Sequence, residues 1–212
     1  MKTLNEIHQR KVERPEKILQ FGEGNFLRAF SDYIIDRSNE HGDFCGSIAV
    51  IKPRGDKPLD TFAAQNCRYT VAVRGADEKG LVEENRTVTS LNCAINPNLE
   101  PERYEALCIA PELRFVISNT TEAGIRYEEG DDLEALPPKS YPAKITALLY
   151  KRFKHYGGDS TKGLCVICCE LIEDNGSTLR EYVLRHAAYN GLEQEFVEWV
   201  EQNCSFCDTL VD

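Results

Sequence analysis

The residues best placed to do chemistry form one run, Ile18-Leu19-Gln20-Phe21-Gly22-Glu23-Gly24-Asn25-Phe26-Leu27-Arg28-Ala29. An apolar stretch leads into two glycines, and an amphipathic pattern follows. Glycine lets the backbone come close to an anion, and the N–H groups at the start of the next helix face outward unpaired. The run therefore suits a phosphate or pyrophosphate. It supplies the first two glycines of G-x-G-x-x-G, with Leu27 in the third place. That third glycine serves close helix–strand packing, so its loss is tolerable if Ala29 faces the sheet instead. A tight strand-to-helix turn with no ligand is the plainer alternative, and the strand-before, helix-after context argues against it.

Two further polar residues follow a second apolar run, Arg114-Phe115-Val116-Ile117-Ser118. Asn119 and Glu122 then stand at the carboxyl edge of a sheet, where open α/β sheets bind ligands. Asn119 suits a cofactor ribose or nicotinamide. Glu122 suits a ligand contact at that edge, or simply a cap for the next turn. An acidic residue ending the second strand favours NAD, and a basic one favours the phosphate of NADP. Here Lys52 and Arg54 precede Asp56, which leaves NAD preferred and NADP open. His8, His41, His155 and His186 fall in a polar leader or on helices and read as solvated or structural. Cys165-x-x-Cys168 and Cys204-x-x-Cys207 have zinc-like spacing, but residues three apart on a strand point to opposite faces. Core thiols are expected and no metal. The acidic run Glu128 to Asp132 is expected to be a solvated face.

The elements that must hold these residues follow from periodicity. Residues 1–16 are a polar leader, and Lys17 to Phe21 is the first strand. Phe26, Ala29, Phe30, Tyr33 and Ile34 give one helical face, expected to pack on the sheet, with Gly42 as the stop. Ser47 to Ile51 is an apolar strand buried on both sides. Tyr69 to Val73 and Leu81 to Glu83 flank a Gly75–Gly80 loop as a hairpin, which Arg86 to Ser90 extends. Pro101 to Ala110, Pro142 to His155 and Ser177 to Ala188 are helices, and Leu192, Phe196, Trp199 and Val200 line one more. Residues 126–140 form an acidic, proline-bearing loop. Gly163 to Cys169 is the last clear strand. This order predicts an α/β fold: a Rossmann-like, doubly wound, mostly parallel sheet with an antiparallel hairpin insertion.

Bulk properties narrow the class. The 212 residues carry 42% apolar and 28% charged side chains, enough for a core and a charged exterior. A net charge of −10 without a basic run argues against nucleic acid or an anionic membrane as partner. No apolar run is long enough for a membrane span, and no signal peptide is recognisable. Nine cysteines, an odd number in a chain of this size, predict a reduced, cytoplasmic setting.

Several motifs together carry a resemblance. Gly22-x-Gly24-x-Phe26-x-Arg28-Ala29, Ser118-Asn119-Thr120-Thr121-Glu122-Ala123-Gly124-Ile125, Tyr141-Pro142-Ala143-Lys144, Cys169-Glu170-Leu171-Ile172, Asn175-Gly176 and Thr209-Leu210-Val211-Asp212 resemble the long-chain polyol dehydrogenases, the mannitol dehydrogenase family. The match is closest to its branch that interconverts tagaturonate and altronate. The resemblance implies a metal-free oxidoreductase that moves a hydride between NAD(H) and a keto sugar acid. It implies that residues 18–29 hold the cofactor, that Gly55-Asp56 is an acidic NAD turn, that Glu122 lies near the active site and is tied to proton passage, and that Asp212 reaches the substrate side. Leu171 stands where the mannitol branch has an oxyanion-hole asparagine, which favours the uronate branch. A fructuronate or mannitol dehydrogenase, or a non-catalytic NAD(H)-binding module, are the alternatives. The family's catalytic lysine belongs to a helical C-terminal domain that nothing in these residues matches. The expectation is that residues 1–212 are the N-terminal dinucleotide-binding domain, incomplete as an enzyme until that domain completes the site.

Overall fold

A computed structural model describes residues 13–42, 44–78, 80–121 and 123–210, together with Leu4. Glu122, Asp212 and His8 lie outside the described residues.

The chain enters through β1 (Glu16–Phe21), then α1 (Asn25–Ala29) and α2 (Ser31–His41), then β2 (Ser47–Ile51). A short α3 (Asp60–Ala64) precedes the hairpin strands β3 (Tyr69–Asp77) and β4 (Gly80–Val88). After β5 (Leu91–Ile95), α4 (Pro101–Cys108) and β6 (Phe115–Ser118) come α5 (Tyr141–His155) and β7 (Cys165–Cys168). The chain closes with α6 (Asn175–Tyr189), α7 (Gln194–Asn203) and β8 (Ser205–Cys207). Six strands form one sheet in the order β5-β2-β1-β6-β7-β8, and every neighbouring pair is parallel. The chain builds outward from β1 to one side, then restarts at β6 on the other. This is the expected doubly wound sheet, with its reversal between β1 and β6. No helix among the described residues is long and apolar enough to cross a membrane.

Side-chain alternation along β1 divides the core in two. Leu19 and Phe21 join Val116 and Val166 beneath Ile145, Leu149, Leu179, Val183 and Phe196, so α5, α6 and α7 cover that face. Ile18 joins Ile48, Val50 and Ile117 on the other face, with Leu27, Phe62 and Val88 packed on it.

Three sequence expectations change. The sheet has two strands that periodicity missed, β5 and the three-residue β8. β5 alternates buried and half-buried residues but follows the hairpin directly. β8 is too short for any pattern. The Gly75–Gly80 loop is much tighter than expected, because Asp77 pairs with Gly80.

The third change concerns the helix after the glycines. It breaks at Phe30, whose φ is −111° and ψ −83°, and most of the expected apolar face turns outward, although Phe26 stays packed against the core and Tyr33 is half-buried. Ala29 is exposed, and so are Phe30 at 51% and Ile34 at 46%. The buried face is Leu27, Ser31, Asp32 and Asp36. A polar face survives burial only when it is hydrogen-bonded, and this one is. Asp36 accepts from Arg86 Nε at 2.8 Å, Thr89 N at 2.7 Å and Thr89 Oγ1 at 3.0 Å. Ser90 Oγ donates to the Asp32 carbonyl at 2.9 Å. The packing role assigned to Ala29 belongs to Leu27.

The acidic loop has a fixed anchor. The Asp131 carboxylate accepts from Lys139 N at 3.0 Å and Ser140 N at 2.7 Å, and Ser140 Oγ in turn caps α5 through Ala143 N at 3.2 Å. Near the other end of α5, Arg152 is fully buried among backbone carbonyls. It donates to Lys162 O at 2.8 Å, Cys108 O at 3.0 Å, Ala110 O at 2.9 Å and Leu113 O at 3.1 Å. Arg152→Met would leave those carbonyls without donors in the core. It is expected to lower the unfolding free energy by about 3 kcal/mol or more in urea titration. A loss below about 1 kcal/mol would refute this role.

Candidate dinucleotide-binding site

Gly22 ends β1 with φ at +129°, and a Cβ there would lie 2.7 Å from the Asn119 carbonyl oxygen. Only glycine fits both the angle and the contact. Its N–H donates to Ile51 O at 3.2 Å, so the turn is tied to β2 as well as to β6. Gly24 differs: a Cβ there would meet nothing within 4 Å. Its open side leaves the backbone accessible, which is what the second glycine of a dinucleotide turn provides.

Three loops meet at this carboxyl edge. Glu23 of the glycine turn pairs with Lys52 beyond β2 at 3.1 Å. Arg54 Nη2 donates to Ala123 O at 3.2 Å, joining the β2 loop to the one after β6. Asn96 Nδ2 fixes the β2 loop by donating to Gly55 O at 2.8 Å, and Asp56 is exposed on it. Asn119 bonds to β1 through its N–H, which donates to Phe21 O at 3.0 Å. Its side-chain amide donates to Cys169 O.

Thus Gly22, Glu23, Gly24, Asn25, Asp56 and Asn119 share one edge. Ile18, Leu19, Phe21 and Leu27 are buried in the core and act by packing. Phe26 stacks on Phe30 at 5.4 Å. Arg28 donates to Asn25 Oδ1 and lies over Phe62 at 5.8 Å and Tyr69 at 5.5 Å.

Glu170 is a residue that reasoning from pattern missed. Fully buried, it lies just past β7 and accepts from Ser118 Oγ at 3.1 Å, Thr120 N at 3.0 Å and Thr120 Oγ1 at 2.9 Å. This carboxylate holds the start of the turn that carries Asn119. Thr121, next along, has φ at +94°, a strained value for a β-branched residue. The available signal was a carboxylate directly after an apolar strand. A cavity of about 490 Å³ opens beside it, lined by Asn119, Thr121, Ala123, Arg126, Glu170 and Leu171.

The remaining candidates lie elsewhere. His41 and His155 end helices, and His186 is buried against Tyr127 at 4.6 Å. Cys165 Sγ approaches Cys207 Sγ at 3.7 Å, whereas Cys168 is in the core. Among the described residues no group of three or more His, Cys, Asp or Glu side chains is placed to hold a metal ion.

Beneath the glycine turn lies a buried polar cluster. Gln20 Nε2 donates to Gly22 O at 3.2 Å, and Ser31 Oγ donates to Gln20 Oε1 at 3.3 Å. Tyr69 OH donates to Asp32 Oδ2 at 2.7 Å and lies 2.9 Å from the Arg28 carbonyl. Burial raises the Asp32 carboxyl to about 7, while hydrogen bonds from Tyr69, Ser31 and Gln20 and the charge of Arg28 pull the other way. Folded Asp32 therefore keeps a proton that the unfolded chain releases near its ordinary value of about 4. Its contribution to stability is complete below about pH 4 and is lost as pH rises to about 7. Asp32→Asn resembles the protonated carboxyl and does not titrate. Urea unfolding at several pH values is expected to show wild type losing stability relative to Asp32→Asn across that window, by on the order of 2–4 kcal/mol. Parallel curves for the two proteins would disprove it.

The model of the Mannitol dehydrogenase Rossmann domain matches residues 16–212. Altronate oxidoreductase of Escherichia coli O7:K1 is 46% identical over 213 residues, covering 100% of this chain and 44% of its own length. The Bacillus subtilis enzyme of the same name is 45% identical with the same coverage. The chain thus spans less than half the length of these curated relatives. Two solved structures share the fold. Pseudomonas fluorescens mannitol 2-dehydrogenase, in ternary complex with NAD and D-mannitol, superposes with a TM-score of 0.73 at 22% identity, over 92% of this chain and 41% of its own. A D-sorbitol dehydrogenase in substrate-free form gives 0.73 at 23% identity, over 91% and 41%. With the glycine turn, the sheet order and the family match in agreement, the chain belongs to the mannitol dehydrogenase family and carries its Rossmann domain.

Proposed function

We propose that this chain is the NAD-binding domain of a cytoplasmic oxidoreductase that interconverts tagaturonate and altronate. One observation carries the cofactor reading. Gly22 closes β1 directly against the Asn119 carbonyl at the sheet's reversal point, with Gly24 open beside it. A pyrophosphate suits this turn because a Cβ at Gly24 would meet nothing within 4 Å, which leaves the backbone there open to an anion. When bound, the nicotinamide supplies or accepts the hydride.

The chain's own residues bind and orient. Gly22 to Asn25 present backbone to the pyrophosphate. Asn119, fixed by β1 and by Cys169 O, faces the nicotinamide half. Asp56 takes the adenosine ribose. NAD is favoured over NADP because Asp56 stands on the β2 loop, Lys52 is neutralised by Glu23 and Arg54 is tethered to Ala123 O through one of its donors. Glu122 and Asp212 keep the roles that the family resemblance implies, proton passage and substrate contact. The proton donor itself belongs to a second domain, in keeping with the greater length of the relatives.

The names of those relatives support altronate as substrate, and Leu171 in place of an asparagine supports the uronate branch over mannitol. Free thiols throughout the described residues suit a reducing compartment.

Titration of this chain with NADH, followed by nicotinamide fluorescence, is expected to saturate, with NADPH at least ~10-fold weaker. Gly22→Ala is expected to weaken NADH by at least ~10-fold, since the new methyl cannot clear the Asn119 carbonyl. Equal affinity of wild type and Gly22→Ala would remove the site from this turn. For the reaction, the whole protein is expected to oxidise NADH with tagaturonate and not with fructose. No turnover with tagaturonate would end the substrate assignment.

A further inference from the structure

The cavity beside Asn119 lies over the carboxyl ends of β6 and β7, on the far side of Asn119 from the glycine turn. In a doubly wound sheet the two halves of a dinucleotide spread across the reversal point. With the pyrophosphate at Gly22–Gly24, the half beyond Asn119 receives the nicotinamide and whatever reacts with it. The lining is Asn119, Thr121, Ala123, Arg126, Glu170 and Leu171. Arg126 is the sole cation in that set, in a chain whose net charge is −10.

Its neighbours at the edge are engaged. Lys52 is paired with Glu23, Arg54 holds Ala123 O, and Arg28 is bonded to Asn25 and stacked on Phe62 and Tyr69. Glu170 shares the cavity, but its two oxygens are taken by Ser118 and Thr120. No carboxylate among the described residues pairs with Arg126. An exposed guanidinium beside a cleft, with no ion-pair partner among the described residues, is a ready receptor for a planar anion, which it can grip through two parallel N–H donors.

We infer that Arg126 reads the carboxylate of the substrate and so selects a sugar acid over a neutral ketose or polyol. This rests on the oxidoreductase reading above. Leu171, 57% exposed, adds apolar surface to the same lining, so the charge open to a ligand there is that of Arg126. A neutral ketohexose would offer the guanidinium only uncharged oxygens, without the charge-assisted paired contact that a carboxylate makes.

The test uses the whole protein and steady-state kinetics with tagaturonate and NADH. Arg126→Met keeps the aliphatic stem and removes the charge. The KM for tagaturonate is expected to rise on the order of 10-fold to 100-fold, while the KM for NADH stays within about twofold. Arg126→Lys is expected to recover only part of the loss, because an ammonium cannot make the paired contact. If wild type turns over tagaturonate and Arg126→Met leaves its KM unchanged, the inference fails and the oxidoreductase reading stands. A rise in the KM for NADH instead assigns Arg126 to a cofactor phosphate and overturns the inference as well. A wild type that oxidises NADH with no keto sugar acid removes both.

Discussion

The structure depends on a single close approach: β1 and β6 run side by side, and their exits touch at Gly22 and the Asn119 carbonyl. Here the chain, having built β1, β2 and β5 to one side, restarts on the other. Two neighbouring strands whose continuations part in opposite directions leave a crevice above them. The glycine lets the β1 exit lie flat against the β6 exit rather than arch over it. The crevice therefore has a floor of backbone. Everything that gives the site its character, from Lys52 on one side to Glu170 on the other, is arranged around that floor.

Much of this was legible in the sequence. Ser47 to Ile51 and Phe115 to Ser118 are continuous apolar runs, and burial on both faces of a parallel sheet is what such runs encode. Pro142 near the start of α5 and Gly42 after α2 mark helix limits by local backbone chemistry. β8 was not legible. It has three residues, and it is a strand only because β7 already offers an edge to pair with. Local pattern cannot encode a partner that lies 40 residues earlier.

The inward face of α2 was hidden for a different reason. Periodicity assumes that the apolar side of a helix is the buried side. Ser31, Asp32 and Asp36 are buried because Tyr69, Arg86, Thr89 and Ser90 return from the hairpin to meet them. Glu170 and Arg152 follow the same rule. Each is a charged group placed in the interior not beside an opposite charge but among hydroxyls and backbone groups. Such partners exist only once the fold has formed, so a lone carboxylate or guanidinium in sequence looks like surface.

The hairpin then has a structural purpose that its exposed strands conceal. Most of β4 is exposed, but the base of the hairpin brings Tyr69 to the Arg28 carbonyl and to Asp32. A helix broken at Phe30 leaves carbonyls of the preceding turn without their regular partners, and the Tyr69 hydroxyl, whose one proton goes to Asp32, lies 2.9 Å from one of them. The same hydroxyl orients Asp32, which contacts Ser31, which contacts Gln20, which donates to the Gly22 carbonyl. An insertion far along the chain thus supports the glycine turn through four side chains in contact. The break it stabilises also leaves Phe30 and Ile34 exposed, while Phe26 stays against the core. The polar cluster, rather than the apolar face, is therefore what fixes the angle at which the helix leaves the cofactor turn.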